Sequence, residues 1–214
     1  MIKNNPLVGA RCNVPLLKKQ HRRSVRLKGY DYSQTGAYFV TICTRNKEFI
    51  LGDVVGGDMH LNEFGKVVEK EWLKTFDMRK NLLLDEYIVM PNHFHGIIII
   101  ADGRGTLPRA PTFEKFGKPV SNSLPTIIRL FKSTTKKQIN GLRNNPGESV
   151  WQRNYYEHII RNDDELNQVR EYIINNPLQW EFDRENPSRG TLQRAPTNNQ
   201  WGRLEEKIYG KTKQ

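Results

Sequence analysis

DEYIVMPNHFHGIIII, residues 85–100, is the stretch that decides the fold. Pro91-Asn92 interrupts it, so we predict one apolar strand over 82–90 and a second over 93–101. The second strand ends in four consecutive isoleucines at 97–100, which makes it apolar on both faces. Such a strand is typical of the middle of a sheet that helices cover.

Two histidines stand at the start of this predicted central strand. Residues i and i+2 of a strand project from the same face, so His93 and His95 point the same way and Phe94 points the other way. Two imidazoles held this close on a rigid strand suit a divalent cation when a third ligand comes from elsewhere in the fold. The pair therefore predicts part of a metal site.

The chain is strongly basic, with 34 Lys and Arg against 23 Asp and Glu in 214 residues and a formal net charge of +11. This balance favours a polyanionic partner, with nucleic acid as the first choice. No apolar run approaches the roughly 20 residues that span a bilayer, and no signal-peptide core is visible, so we expect a cytoplasmic protein without a membrane partner. Cys12 and Cys43 indicate neither a disulfide framework nor a zinc knuckle.

Periodicity divides the first half of the chain into clear elements. Residues 37–44 are rich in β-branched and aromatic side chains and are predicted to form a strand. Residues 48–60 indicate a short hairpin with Gly56-Gly57 at its turn. Apolar residues spaced three or four apart then predict an amphipathic helix over 61–79, with Asn62 as its N-cap.

The second half follows the same logic. A helix is predicted over 123–140, and residues 149–160 are predicted to form a strand or two short strands. Asn162 with Glu165 forms a capping-box pattern, which predicts a helix that ends at Pro177.

This last helix carries a tyrosine and an asparagine on one face. Tyr172 and Asn176 are four residues apart, so their side chains lie one turn from each other. If this face packs over the start of the histidine strand, the Asn176 amide oxygen can complete a three-ligand site. Tyr172 would then aim its phenol at a phosphate, and tyrosine is a known covalent nucleophile.

Three motifs in a fixed order carry a family resemblance: MPNHFH at 90–95, WQRNYYEHIIR at 151–161 and EYIINNP at 171–177. Together they resemble the REP-associated tyrosine transposases of the HUH single-tyrosine superfamily, in which U is a hydrophobic residue. The resemblance covers residues 22–180.

The resemblance implies an α+β fold with a ferredoxin-like βαββαβ core, an antiparallel sheet and helices on its faces. It also implies that His93, His95 and Asn176 bind Mg²⁺ or Mn²⁺ and that Tyr172 is the nucleophile. Relatives cleave single-stranded DNA at or near palindromic elements, form a 5′-phosphotyrosine and rejoin strands by reversing that step. The implied partner is single-stranded or hairpin DNA, with either a monomer or a homodimer as the working form.

Basic and aromatic residues suggest where DNA could bind. The predicted contacts share a positive charge or a ring and are Arg22, Arg23, Arg26, Arg129, Lys132, Lys136, Arg153, Tyr155 and His158. A solvated surface would look similar for the basic residues, and a lone histidine such as His158 is more often structural. Tyr155 and Tyr156 are alternative nucleophiles by type, although strand tyrosines more often pack or stack.

The expected organisation is a basic N-terminal arm over 1–28, a nuclease domain over 29–180 and an irregular tail over 181–214. A loop insert at 102–121 interrupts the domain. The segment RGTLPRAPT at 104–112 recurs as RGTLQRAPT at 189–197, which we interpret as two translated copies of a short repetitive DNA element in permissive loops.

Two other functions remain open at this stage. A non-cleaving binder of structured single-stranded DNA would need little beyond the basic charge. An RNA-binding ferredoxin-like domain would stack bases on sheet aromatics, but the chain lacks the RNP-type Lys/Arg-Gly-Phe pattern.

Overall fold

A computed structural model describes residues 30–101, 120–188 and 200–209. The predicted basic arm, with Arg22, Arg23 and Arg26, lies outside the described residues, as do residues 102–119 of the insert and both copies of the repeat. None of the described helices is long and apolar enough to cross a membrane.

A four-stranded antiparallel sheet forms the centre of the protein. Its strand order is β4-β5-β1-β6, and the strands are β1 (Gly36–Cys43), β4 (Leu82–Val89), β5 (His93–Ile100) and β6 (Tyr156–Ile160). The strand that carries the histidines and isoleucines is central, between β4 and β1. With the connecting helices this is the ferredoxin-like βαββαβ arrangement, so the predicted α+β fold is confirmed.

Helices cover both faces of this sheet. α1 (Glu63–Asp77) and α2 (Leu124–Leu142) pack on one face, and α3 (Asp163–Ile174) and α4 (Gln200–Tyr209) pack on the other. β5 alternates between the two layers: Phe94 and Ile98 join the core under α1 and α2, whereas Ile97 joins the core under α3 and α4. His93 and His95 share the parity of Ile97, so both imidazoles lie on the α3 face.

Local capping signals behave as expected. The Asn62 side chain accepts hydrogen bonds from the Phe64 and Gly65 amides at 2.9 and 3.0 Å, and the Asn162 side chain accepts one from the Glu165 amide at 2.8 Å. These oxygens satisfy amides that the first helical turn leaves unpaired.

The predicted hairpin is also present. It consists of β2 (Gly52–Val55) and β3 (Asp58–Leu61). Gly56 and Gly57 have φ of 63° and 90° at its turn. Glycine reaches this left-handed region without a steric penalty, which accounts for both positions.

Two regions differ from the expectations. Residues 149–155 are not a continuous strand, because Trp151 forms only a single bridge to Thr44 and the strand begins at Tyr156. Residues 177–182 form a 3₁₀ helix and residues 200–209 form α4, so the tail is not irregular throughout. Leu204 and Ile208, four residues apart, pack into the core on the α3 face, and burial of this small apolar stripe stabilises α4 there.

Gly65 is required by a close approach inside the α1 layer. A Cβ at this position would lie 2.2 Å from the Leu51 carbonyl oxygen, which is backbone and cannot move aside easily. We expect Gly65→Ala to lower the free energy of unfolding by about 1–3 kcal/mol, measured by urea denaturation. The matched control is Gly141→Ala in α2, where a Cβ would meet nothing within 4 Å. That control should be neutral or stabilising by up to about 1 kcal/mol, and equal losses in the two variants would contradict the packing argument.

A bidentate ion pair fastens α3 to the sheet. Arg170 donates to the two Asp85 carboxylate oxygens at 2.8 and 2.6 Å. The Arg170 hydrogen bonds hold the pKa of Asp85 below 3.8, the ordinary value for an aspartate. Since the folded-state pKa is depressed, this stabilisation is complete above pH 3.8 and is lost as the pH falls through the lower folded-state value.

Asp85→Asn is therefore expected to destabilise the protein by about 1–3 kcal/mol at neutral pH, with a smaller difference from the unmodified protein in acid. Urea titrations of both proteins at neutral pH and well below pH 3.8 measure this. A difference that does not shrink in acid would show that the pair acts through shape rather than charge.

Candidate metal centre and nucleophile

The two histidines form the centre of the site. Their rings lie 4.4 Å apart between centroids, and both side chains are fully buried. Burial lowers the pKa of His93 and lowers that of His95 further, with the neighbouring imidazole adding to the effect at His95. Both rings are thus held neutral, which leaves a nitrogen lone pair available on each.

Hydrogen bonds on one side of each ring decide which nitrogen faces the site. Nδ1 of His93 is 2.8 Å from the Asn92 Oδ1, and Nδ1 of His95 is 2.9 Å from the Thr41 hydroxyl. The Asn92 amide nitrogen donates to two backbone carbonyls, so its oxygen is the atom that faces His93. An amide oxygen only accepts, so His93 carries its proton on Nδ1 and leaves Nε2 as an acceptor.

Asn176 follows α3 and contacts Asp183, whose carboxylate lies beside both imidazoles. It lies two residues beyond the end of α3 at Ile174, and its backbone amide donates to the Ile173 carbonyl at 3.2 Å, so the chain continues in a tight helical turn after Tyr172. Its side-chain nitrogen donates to the Asp183 Oδ2 at 2.8 Å, which turns the amide oxygen away from Asp183.

Three buried acceptors are consequently without a partner in the described residues: Nε2 of His93, Nε2 of His95 and Oδ1 of Asn176. A buried acceptor without a partner costs about 1–3 kcal/mol, so three such atoms on residues that surround Asp183 favour the binding of a cation there. Two imidazole nitrogens and an amide oxygen suit a divalent cation, and each has a second group holding its orientation. The residues present therefore fit the divalent cation that the resemblance implies.

Tyr172 lies against this group of acceptors. Its ring is 5.3 Å from the His95 ring, and its hydroxyl donates a long hydrogen bond of 3.4 Å to the Asp183 Oδ2. Burial raises the pKa of this phenol well above its usual value, and the nearby Tyr209 and Asp183 add to the shift. Tyr172 is thus a neutral phenol in this conformation. The face of α3 that carries it packs against the sheet face that carries both imidazoles.

Two residues at the site were missed from the sequence. Asp183 is fully buried, and its carboxylate offers an oxygen within 4.8 Å of ligand nitrogens of both histidines. It lies outside the three motifs and just beyond the boundary at residue 180, and no spacing pattern marks it. Tyr209 on α4 places its hydroxyl 2.8 Å from the Thr41 hydroxyl, and no sequence signal links it to the histidines either.

The predicted DNA contacts do not gather at this centre. Arg129, Lys132 and Lys136 lie on α2, on the opposite face of the sheet. The Lys132 ammonium donates to the carbonyls of residues 152, 153 and 154, and burial lowers its pKa to about 8. These Lys132 hydrogen bonds therefore hold the irregular loop that is found where a strand was expected.

The remaining predicted contacts lie around β6. Arg153 is exposed and Tyr155 is half-buried. His158 lies 2.9 Å from the Glu165 carboxylate, an ion pair when the imidazole is protonated. Glu165 also accepts a hydrogen bond from the Arg161 amide, which gives His158 a part in holding the start of α3.

Comparison with solved structures identifies the fold. The fold is shared with the solved structure of a REP-associated tyrosine transposase bound to a REP hairpin, with a TM-score of 0.50 and 19% sequence identity over 73% of this chain and 74% of that chain. This confirms the fold that the resemblance implied. No protein-family model matches the chain.

At the level of sequence, the chain is similar to a protein of Haemophilus influenzae strain Rd that has no characterised function. The two chains are 41% identical over 169 residues, which are 76% of this chain and 92% of the other. The chain belongs to the same family as that Haemophilus protein.

Proposed function

We propose that this protein is a metal-dependent endonuclease and strand transferase that acts on single-stranded hairpin DNA, as a transposase of the REP-associated kind. The observation that carries the proposal is a buried cluster in which two imidazoles with unpartnered Nε2 atoms lie beside the Tyr172 phenol and the Asp183 carboxylate, which also binds the Asn176 amide. Two histidines on a strand occur in proteins of many functions. Two neutral buried imidazoles that face a helix with a tyrosine and an asparagine are consistent with far fewer functions.

The chemistry proposed for the site is a transesterification. The Tyr172 oxygen attacks a DNA phosphorus, a tyrosine–phosphate bond forms, and the bond from phosphorus to the 3′ oxygen breaks. The phenol loses its proton and the departing strand gains one as a 3′-OH, so the step needs no nucleotide cofactor. A divalent cation held by His93, His95 and Asn176 would supply Lewis acidity toward a phosphoryl oxygen.

The chain's own residues prepare this step in three ways. Asn92 and Thr41 orient the imidazoles, and Asp183 orients the Asn176 amide. Asp183 also places an acceptor beside the Tyr172 hydroxyl. Because one phosphoester bond replaces another, the energy of the cleaved bond is conserved in the phosphotyrosine. A 3′-OH can therefore reverse the reaction and join strands.

DNA must displace part of the protein to reach Tyr172. The side chain is 0% exposed, and Tyr209 packs beside it with ring centroids 6.1 Å apart. α4 is held in place by the buried Ile208 and by a hydrogen bond from the Tyr156 hydroxyl to the Ile208 carbonyl. This covering also favours a second candidate function, a non-cleaving binder of structured DNA.

The substrate class follows from two supports. The solved structural neighbour is bound to a REP hairpin, and a net charge of +11 favours a polyanion. Arg129, Lys136 and Arg153 are proposed as backbone contacts on the side of the sheet away from the metal centre, together with the basic arm.

Incubation with end-labelled single-stranded hairpin DNA and Mn²⁺, followed by denaturing electrophoresis, tests the proposal. A covalent protein–DNA adduct and a shortened strand with a free 3′-OH are expected. Peptide mapping of the adduct should identify Tyr172. Intact DNA with tight, salt-sensitive binding would instead support the non-cleaving binder.

A further inference from the structure

We propose that Phe49 and Trp180 form a stacking surface for an unpaired nucleobase of the DNA strand whose phosphate lies at the candidate metal centre. The inference deepens the proposed function and rests on it, because the phosphate position comes from that proposal. Nothing in the sequence motifs marks either residue.

The two rings extend outward from a metal-site histidine. The Trp180 ring lies 5.8 Å from the His93 ring at an interplanar angle of 34°, and the Phe49 ring lies 5.7 Å from the Trp180 ring at 66°. Aromatic surface thus continues from the buried imidazole to the protein surface without a break. In a single strand, a base lies within one nucleotide of its phosphate, so a surface adjacent to the phosphate site is within its reach.

Exposure separates Phe49 from the other aromatic residues. Its side chain is 49% exposed, and it is the only exposed aromatic residue among those whose burial the structure describes. Trp180 is half-buried. Bases stack on exposed aromatic faces with little regard to their identity, which is how many proteins hold single-stranded nucleic acid.

The loop that presents Phe49 is held rigidly against the metal centre. Asn46 and Lys47 have φ of 55° and 57°, a left-handed pair that non-glycine residues adopt only when their surroundings impose it. The Lys47 carbonyl accepts a hydrogen bond from Asn92, the residue that orients His93. The Thr44 amide and hydroxyl both donate to the Asn92 carbonyl.

The charged residues around the two rings are of both signs, and one of the basic side chains is exposed to solvent. Lys47 pairs with Glu185 at 3.2 Å, and Glu48 accepts a hydrogen bond from Asn46. Arg45 is exposed at the start of the same loop, and no ion pair is seen for it among the described residues. A basic residue four positions from a stacking ring suits a strand that places a phosphate beside each base.

Binding of fluorescent single-stranded DNA tests this proposal, measured in the Tyr172→Phe chain so that no covalent adduct contributes. Phe49→Leu keeps an apolar side chain without a ring and should weaken binding by about fivefold or more. Phe49→Tyr keeps the ring and should bind as the parent does. Leu142→Ala on α2 is the matched control, since Leu142 is also about half exposed, at 48%.

Oligonucleotides with one abasic position each then locate the base. At the stacked position, removal of the base should abolish the difference between Phe49→Leu and its parent. Equal binding by the Leu and Tyr variants, or a difference that survives every abasic substitution, would overturn the stacking proposal. Ring-dependent binding by the Tyr172→Phe chain, together with no Mn²⁺-dependent adduct in the unmodified protein, would support the stacking surface and refute the nuclease.

Discussion

Tyr172→Phe is expected to abolish the covalent protein–DNA adduct. Phenylalanine keeps the ring that packs 5.3 Å from His95 and 6.0 Å from Phe39, so the core around it should survive. It removes the hydroxyl oxygen that attacks phosphorus in the proposed reaction. Loss of a nucleophile typically lowers the rate by at least about a thousandfold, which is a complete loss in a gel assay.

Tyr209→Phe is the matched control for this experiment. Tyr209 is a second tyrosine at the centre and also has a raised pKa, chiefly from burial. Tyr209 lies on α4 and not on the helix that leads to Asn176. The Tyr209→Phe variant should therefore form at least as much adduct as the unmodified protein. An adduct retained in Tyr172→Phe and lost in Tyr209→Phe would reverse the assignment of the nucleophile.

The second large effect is expected on metal binding. His95→Ala removes one of the three unpartnered acceptors and should abolish the Mn²⁺ binding measured by calorimetry or by the electron paramagnetic resonance of free Mn²⁺. Because this readout needs no DNA, it separates the metal site from the nuclease activity. His60→Ala on β3 is the control, since that imidazole is exposed and lies outside the site.

Asp183→Ala distinguishes orientation from coordination. Loss of a group that only orients a ligand typically weakens metal affinity about 10- to 100-fold. Asp183 holds the Asn176 amide, so a loss of this size that disappears in an Asn176→Ala background would identify it as an orienting residue. A loss that persists in that background would make Asp183 itself a ligand. Unchanged Mn²⁺ binding in both His95→Ala and Asp183→Ala would refute the metal centre.

Local periodicity explains what could be predicted. The strand parity of His93 and His95, the N-caps Asn62 and Asn162 and the one-turn spacing of Tyr172 and Asn176 all follow from neighbours within four residues. The family resemblance added the ferredoxin-like βαββαβ core, which local patterns do not contain. The roles of the four site residues stay predictions, although the structure brings all four together.

The rest of the site depends on contacts between distant parts of the chain. Asp183 meets the histidines across about ninety residues, and Tyr209 meets Thr41 across 168. The Lys132 ammonium donates to three carbonyls some twenty residues along the chain, in the loop that is found where a strand was expected. No periodic signal encodes such pairings, since each depends on where a helix or turn lies after packing.

The sequence by itself determined that two imidazoles share one face of a central strand and that a tyrosine and an asparagine share one face of a capped helix. Backbone geometry alone requires both statements. Only the tertiary structure decided that these faces meet, that Asp183 binds both the Asn176 amide and the Tyr172 hydroxyl, and that α4 covers the phenol. Those outcomes follow from burial of apolar surface between layers, which acts over the whole chain and leaves no local pattern.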